Sequence, residues 1–107
     1  MKYDKLVRDR IPEIIAKDGK KAVTRILTDE EYKIHLEKKL DEEVAEFHES
    51  KNLEELADIF EVVAALCYSL GHSIEGLVAL ANIKRIDRGG FKDKILLEEI
   101  CEDGEQV

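Results

Sequence analysis

Two short groups of acidic residues stand close together near the middle of the 107-residue chain. The first reads E-E-x-x-E and the second E-x-x-D, with eight residues between them; their members are Glu42, Glu43, Glu46, Glu55 and Asp58. Residues three apart share one face of a helix, where like charges repel. Mg²⁺ relieves such repulsion, and its preferred ligands are carboxylate oxygens, water and phosphate. The spacing therefore predicts a divalent cation site with the phosphates of a nucleotide as its anionic partner.

The position of Glu43 strengthens this interpretation. It lies three residues after Leu40 and four before Phe47, inside the apolar stripe that should face the core. Asp58 likewise opens an almost wholly apolar run. The alternative is that acids such as Glu55, near the start of a helix, only complement the helix dipole. That alternative can explain any one of these acids, but it does not explain why two such groups occur together.

Other metal and thiol chemistries find little support. A di-iron carboxylate bundle needs a Glu-x-x-His step, and none of His35, His48 and His72 lies three residues after a glutamate. Cys67 stands in an apolar run and Cys101 in a charged tail, so they form neither a disulfide framework nor a CxxC pair. We therefore interpret Cys67 as a packing residue.

Two long helices should carry the acidic groups. Thr28, with a glutamate three residues later, begins a capping box, and apolar residues then recur at helical spacing to about Ser50. Asn52 gives a second start signal for a helix that runs to Leu70 and stops at a glycine. Because about two residues separate these helices, they should pack as an antiparallel hairpin with the acids on both arms.

The remaining elements are shorter. A proline in the first turn predicts a helix over residues 11–18, residues 21–27 favour an extended conformation, and a third long helix should run from Ser73 to the Gly89-Gly90 pair. One proline and six glycines leave little room for turns. The sequence thus predicts an all-α, four-helix-bundle-like fold built as one domain over residues 1–107, with a tail over 98–107.

The composition limits the partners. A net charge of −8 argues against duplex nucleic acid and an anionic membrane. The longest apolar stretch, residues 59–70, is too short to span a bilayer, and the charged start is unlike a signal peptide. We expect a cytoplasmic protein, and the wide apolar surface of the second long helix predicts a homodimer or homotetramer.

Four sequence blocks in order resemble a known family. The acidic groups resemble those of the all-α nucleoside triphosphate pyrophosphohydrolase (MazG) superfamily. The blocks YDKLVRDRIPEII (3–15), KLDEEVAE (39–46), EELAD (54–58) and RGGF (88–91) are similar to its phosphoribosyl-ATP pyrophosphohydrolase-like branch. The resemblance covers residues 3–97 and implies a MazG-type, oligomeric architecture.

The resemblance also implies a reaction: hydrolysis between the α and β phosphates of a nucleotide, giving the monophosphate and pyrophosphate. Mg²⁺, or Mn²⁺ in its place, would be held by four acids, and a fifth would bind a further ion or help orient water. The four ligands are Glu43, Glu46, Glu55 and Asp58, and the fifth acid is Glu42. We count all five as candidate catalytic residues.

Basic residues supply candidates for the substrate phosphates. Lys39 is placed by helix geometry beside Glu43, although a simple salt bridge with Glu43 explains it equally well. Arg8 belongs to a basic cluster near the start of the chain. By the resemblance, Asn82, Lys84 and Arg88 correspond to an element near the phosphates; Arg88 is otherwise a partner for the dipole at a helix end.

Two other functions stay open at this point. One is phosphoribosyl-ATP hydrolysis in histidine biosynthesis. The other is a non-catalytic helical module that binds a nucleotide or a protein.

Overall fold

The computed structural model describes residues 3–102. Within that range the regular structure consists of four helices: α1 (Ile11–Lys17), α2 (Asp29–Ser50), α3 (Leu53–Ser69) and α4 (Ile74–Arg88). The all-α prediction is confirmed, and each helix begins and ends close to its predicted bounds. Residues 21–27 have no regular structure. The predicted tail over 98–107 lies outside the described residues from position 103 onward.

The start of α2 is fixed by the predicted capping box. The Thr28 hydroxyl accepts a hydrogen bond from the Glu31 backbone N–H at 3.2 Å, and Glu31 Oε1 accepts one from the Thr28 N–H at 3.0 Å. Arg25 adds two hydrogen bonds to the Glu31 carboxylate, at 3.1 and 2.9 Å. These contacts lower the pKa of Glu31 to about 2, and the hydrogen bonds from Arg25 contribute most. A capping box with this geometry satisfies two helix-end donors and fixes where α2 begins.

A two-residue connection turns α2 into α3. Lys51 adopts the left-handed conformation (φ 51°) and ends α2, and its backbone N–H donates to the Phe47 carbonyl at 2.7 Å. The side chain of Asn52 then accepts a hydrogen bond from the Glu55 N–H at 3.0 Å and starts α3. The two helices pack against each other. This short reversal produces the predicted hairpin.

The hairpin encloses a small core. Among the described residues, the buried apolar side chains are Leu36 of α2 and Val62, Ala64 and Cys67 of α3. Cys67 is buried, in accord with its prediction as a packing residue. The chain divides into two compact units after Ile74, and the first unit holds α1, α2 and α3.

The second unit consists of α4 and the residues that follow it. Its described side chains are largely exposed, including Ile83 and Ile86 of α4. No single helix in residues 3–102 is long and apolar enough to cross a membrane. Joined as one interrupted segment, α3 and α4 do reach the length and apolar composition of a membrane span.

Candidate metal centre

The hairpin brings the five predicted acids together. One carboxylate oxygen from each of Glu42, Glu43 and Glu46 lies within 4.8 Å of the others, and the same holds for Glu43, Glu55 and Asp58. Glu43 therefore belongs to both groups and joins the α2 acids to the α3 acids. Two helices held by a tight turn thus present carboxylate oxygens at a spacing that one cation can span.

Glu43 is the buried member of the set. It is only 7% exposed, and its Oε2 accepts no hydrogen bond from any residue in the described range. Burial raises the pKa of the Glu43 carboxyl, and the adjacent Glu46 carboxylate raises it further, while Lys39 opposes both. A buried carboxylate oxygen without a donor is unfavourable by about 1–3 kcal/mol. A cation at this oxygen would remove that penalty, so the donor set fits a hard divalent ion such as Mg²⁺.

Glu42 has the opposite environment, although it is next in sequence. Lys5 Nζ contacts Glu42 Oε1 at 3.1 Å, and Lys39 Nζ contacts Glu42 Oε2 at 3.3 Å. Partial burial acts to raise the pKa of Glu42, but the two lysine hydrogen bonds outweigh it and the pKa falls below its usual value. The two adjacent carboxyls therefore differ, since each oxygen of Glu42 has a lysine partner, whereas only one oxygen of Glu43 does.

A basic segment before α1 bridges the two arms of the hairpin. Lys5 contacts Glu42 of α2, and three residues later Arg8 Nη2 contacts Asp58 Oδ1 of α3 at 2.6 Å. Both basic side chains are about half exposed. Arg8 therefore neutralises a predicted metal ligand.

Lys39 makes the salt bridge that its helix position allowed. Its Nζ lies 3.4 Å from Glu43 Oε1 as well as 3.3 Å from Glu42 Oε2. A cavity of about 250 Å³ opens beside it, and its lining includes Lys5, Lys38 and Glu42. Lys38 and Lys39 precede Glu42 and Glu43 by one turn of α2, and Lys5 comes from a distant part of the chain. Positive charge is thus concentrated next to the carboxylates.

Ser50 is a contact that the sequence did not reveal. Its hydroxyl lies 3.0 Å from the Glu46 carbonyl oxygen and 3.3 Å from Glu55 Oε1. Ser50 therefore links the end of α2 to an acid of α3 and restrains the Glu55 side chain. A serine at a helix end carries no motif, so only the hairpin geometry shows this role.

The other predicted substrate residues lie on α4, in the second unit. Asn82 accepts a hydrogen bond at 2.9 Å from Arg85, the residue three positions later. Arg88 is close to its sequence neighbour Asp87, with Nε 3.9 Å from Oδ2. Lys84 lies between them on the same helix. A role of Asn82, Lys84 and Arg88 in phosphate binding stays a prediction.

Comparisons with known proteins add one partial match. A segment of 41 residues is 61% identical to part of an uncharacterized protein of Mycolicibacterium smegmatis, covering 38% of this chain and 42% of that protein. The chain thus matches about two fifths of the length of this curated relative, whose name assigns no activity. No protein-family model and no solved structure matches the chain. The resemblance to the pyrophosphohydrolases stays a prediction from motifs.

Proposed function

We propose that the chain is a Mg²⁺-dependent nucleotide pyrophosphohydrolase, which hydrolyses a nucleoside triphosphate or a related nucleotide between the α and β phosphates. The observation that carries the proposal is the unpartnered, buried Glu43 Oε2 at the junction of two carboxylate groups. Lys39 reaches only the other oxygen of this carboxylate, with Nζ 3.4 Å from Oε1, so Oε2 is left without a donor. The motif resemblance supplies the reaction class.

Four acids would hold the cation: Glu43, Glu46, Glu55 and Asp58. Bound there, Mg²⁺ or Mn²⁺ would withdraw charge from the substrate phosphates and stabilise the pyrophosphate leaving group. Before any ligand arrives, a Glu43 oxygen already lies close to Glu46 in one group and to Glu55 and Asp58 in the other. Ser50 holds Glu55 through its hydroxyl. This preorganisation is what a site for a charged transition state requires.

The basic residues would bind the phosphates. Lys39 lies within 3.4 Å of both Glu42 and Glu43, so its ammonium group stands at the edge of the cation ligands. Arg8 reaches Asp58 from the N-terminal segment, and its guanidinium can pair with a phosphate as readily as with a carboxylate. Glu42, held by two lysines, stays ionised and is suited to orienting an attacking water.

Pyrophosphate release from a panel of nucleotides, with and without Mg²⁺, tests the proposal. Release from several nucleoside triphosphates only in the presence of the metal is the expected result. Release from phosphoribosyl-ATP alone would assign the biosynthetic reaction instead. If no nucleotide releases pyrophosphate, the result would favour a non-catalytic binding module.

A pair of variants connects the activity to the site. Asp58→Asn removes a ligand charge and should abolish turnover while the helix content is retained. Asp41→Asn is the matched control, because Asp41 is an exposed aspartate of α2 outside both carboxylate groups. Equal loss of activity in the two variants would contradict the assignment of Asp58.

A further inference from the structure

The segment before α1 is held to the hairpin by charge and hardly at all by packing. Residues 3–10, called here the N-terminal strap, contain no helix or strand. Of their apolar side chains, Tyr3 and Val7 are exposed and Leu6 is half-buried. Among the described helices, α2 and α3 are the only pair that pack together, so α1 does not anchor the strap to the hairpin. The attachment of the strap therefore depends on its basic side chains.

Two ion pairs attach the strap, one to each arm of the hairpin. Lys5 Nζ lies 3.1 Å from Glu42 Oε1 of α2, and Arg8 Nη2 lies 2.6 Å from Asp58 Oδ1 of α3. The Lys5 and Arg8 side chains are 53% and 54% exposed. An exposed ion pair favours the paired state by no more than about 5-fold. The strap is thus positioned by contacts that a competing charge can break.

Open space lies beside the strap. Residues 4–6 line one side of the cavity of about 250 Å³, and the rest of its lining comes from α2: His35, Lys38, Lys39 and Glu42. The strap therefore stands off from α2 beside the acids, and its movement would displace no packed core.

Asp58 is the carboxylate for which the strap and a cation compete. Together with Glu43 and Glu55 it forms one of the two oxygen groups that a cation can span, and Arg8 already contacts one of its two oxygens. Two positive charges on one carboxylate repel each other. A divalent cation carries twice the charge of a guanidinium and also satisfies Glu43 Oε2, which has no partner in the described range. The cation is therefore the stronger partner of Asp58.

We propose that the N-terminal strap is an autoinhibitory contact, which closes the carboxylate centre through Lys5 and Arg8 and opens when a divalent cation binds at Asp58. The proposal rests on the metal centre of the proposed function. Without the cation, Lys5 and Arg8 supply positive charge to acids that otherwise repel one another across the hairpin. With the cation bound, the Arg8 guanidinium is released and becomes available to an anionic ligand.

NMR of the full chain tests the proposal. Heteronuclear Overhauser enhancements of the backbone amides of residues 4–8 report their order on the ps–ns timescale. We expect high values in the metal-free natural chain, and with saturating Mg²⁺ a fall to the level of the Lys5→Ala/Arg8→Ala double variant. Arg10→Ala is the matched control and should behave like the natural chain, because Arg10 pairs with Glu13 of α1, at 2.9 Å, and not with an acid of the hairpin.

Cation affinity, measured by calorimetry, gives a second readout. Lys5→Ala leaves Arg8 and all four predicted cation ligands in place, yet it should tighten Mg²⁺ binding by about 2- to 5-fold because it loosens the strap. The double variant should bind Mg²⁺ no more than about 2-fold tighter than Arg8→Ala, since a strap that is already open cannot be opened again. Effects of Lys5 and Arg8 that simply multiply would contradict a shared strap.

Two other results would overturn the strap while the metal centre remains. One is Mg²⁺ binding with no change in the order of residues 4–8, which would make Arg8 a fixed outer partner of Asp58. The other is a metal-free natural chain whose strap is as mobile as that of the double variant. If Mg²⁺ binds neither the natural chain nor Arg8→Ala, the strap and the proposed function both fail. If Mg²⁺ opens the strap but no nucleotide releases pyrophosphate, the strap is supported and the proposed reaction fails.

Discussion

Replacing Glu43 by glutamine should stabilise the metal-free protein. The carboxylate is 7% exposed, one oxygen has no donor, and the neighbouring Glu46 repels it. Its pKa is raised, so its favourable contribution is present at low pH and is lost as the pH rises through the folded-state value. Above that value the carboxylate is charged and opposes folding. A neutral amide removes the charge and can donate a hydrogen bond to Glu46.

The expected magnitude follows from the unsatisfied oxygen. Leaving such a group buried costs about 1–3 kcal/mol, and the lost attraction to Lys39 offsets part of the gain. We expect the free energy of unfolding to rise by about 1–2 kcal/mol, with a thermal midpoint higher by about 4–8 °C for each kcal/mol. Urea unfolding followed by circular dichroism, in a chelating buffer and at one fixed protein concentration, measures it.

Glu42→Gln is the matched control, since it changes the adjacent residue in the same way. Glu42 is held by Lys5 and Lys39 and its pKa is lowered. Removing its charge should reduce the free energy of unfolding by about 0.5–1 kcal/mol. The two substitutions should thus act in opposite directions in the absence of metal.

Mg²⁺ should stabilise the natural chain and the Glu43→Gln variant to different extents. A ligand at one hundred times its dissociation constant stabilises the folded state by about 2.7 kcal/mol. The natural chain should gain such stability from Mg²⁺, and Glu43→Gln should gain little. Two results would contradict the role of Glu43 as a metal ligand with an unpaired buried oxygen. One is a Glu43→Gln variant that is less stable than the natural chain without metal, and the other is a variant that Mg²⁺ stabilises as much as the natural chain.

Three further predictions concern the contacts around the hairpin. Arg8→Ala frees Asp58 from its ion pair and should tighten Mg²⁺ binding by up to about 5-fold, which corresponds to the free energy of an exposed ion pair. The same change should raise the KM for the nucleotide. Calorimetry measures the first effect and initial rates measure the second. Thr28→Ala breaks the capping box and should lower the free energy of unfolding by about 0.5–2 kcal/mol in urea titrations, with Thr28→Ser as a near-neutral control. Glu31 is held by Arg25, and its carboxyl should titrate with a pKa of about 2 in carboxyl-detected NMR. Because this pKa lies below that of the unfolded chain, the stability that the Glu31 carboxylate contributes should be full above the unfolded pKa and should vanish as the pH falls toward 2. Arg25→Gln should return the pKa of Glu31 toward its ordinary value.

Local signals in the sequence determined the helices and their ends. Thr28 and Asn52 each carry a capping side chain for the helix that follows, and both caps form as predicted. Such contacts join residues three positions apart, so the sequence contains all of their parts. The short turn between the two long helices then fixes the hairpin, and with it the approach of the α2 acids to those of α3.

The tertiary structure alone decided how each acid is neutralised. Glu42 and Glu43 are identical and adjacent in sequence, yet Lys5 reaches only Glu42, and Glu43 is left with a bare oxygen. The Arg8 contact with Asp58 joins positions fifty residues apart, and the Ser50 hydroxyl meets Glu55 only because the chain reverses between them. Helix propensity and periodicity describe neighbours along the chain, whereas burial and ion pairing depend on which distant side chains the fold brings together.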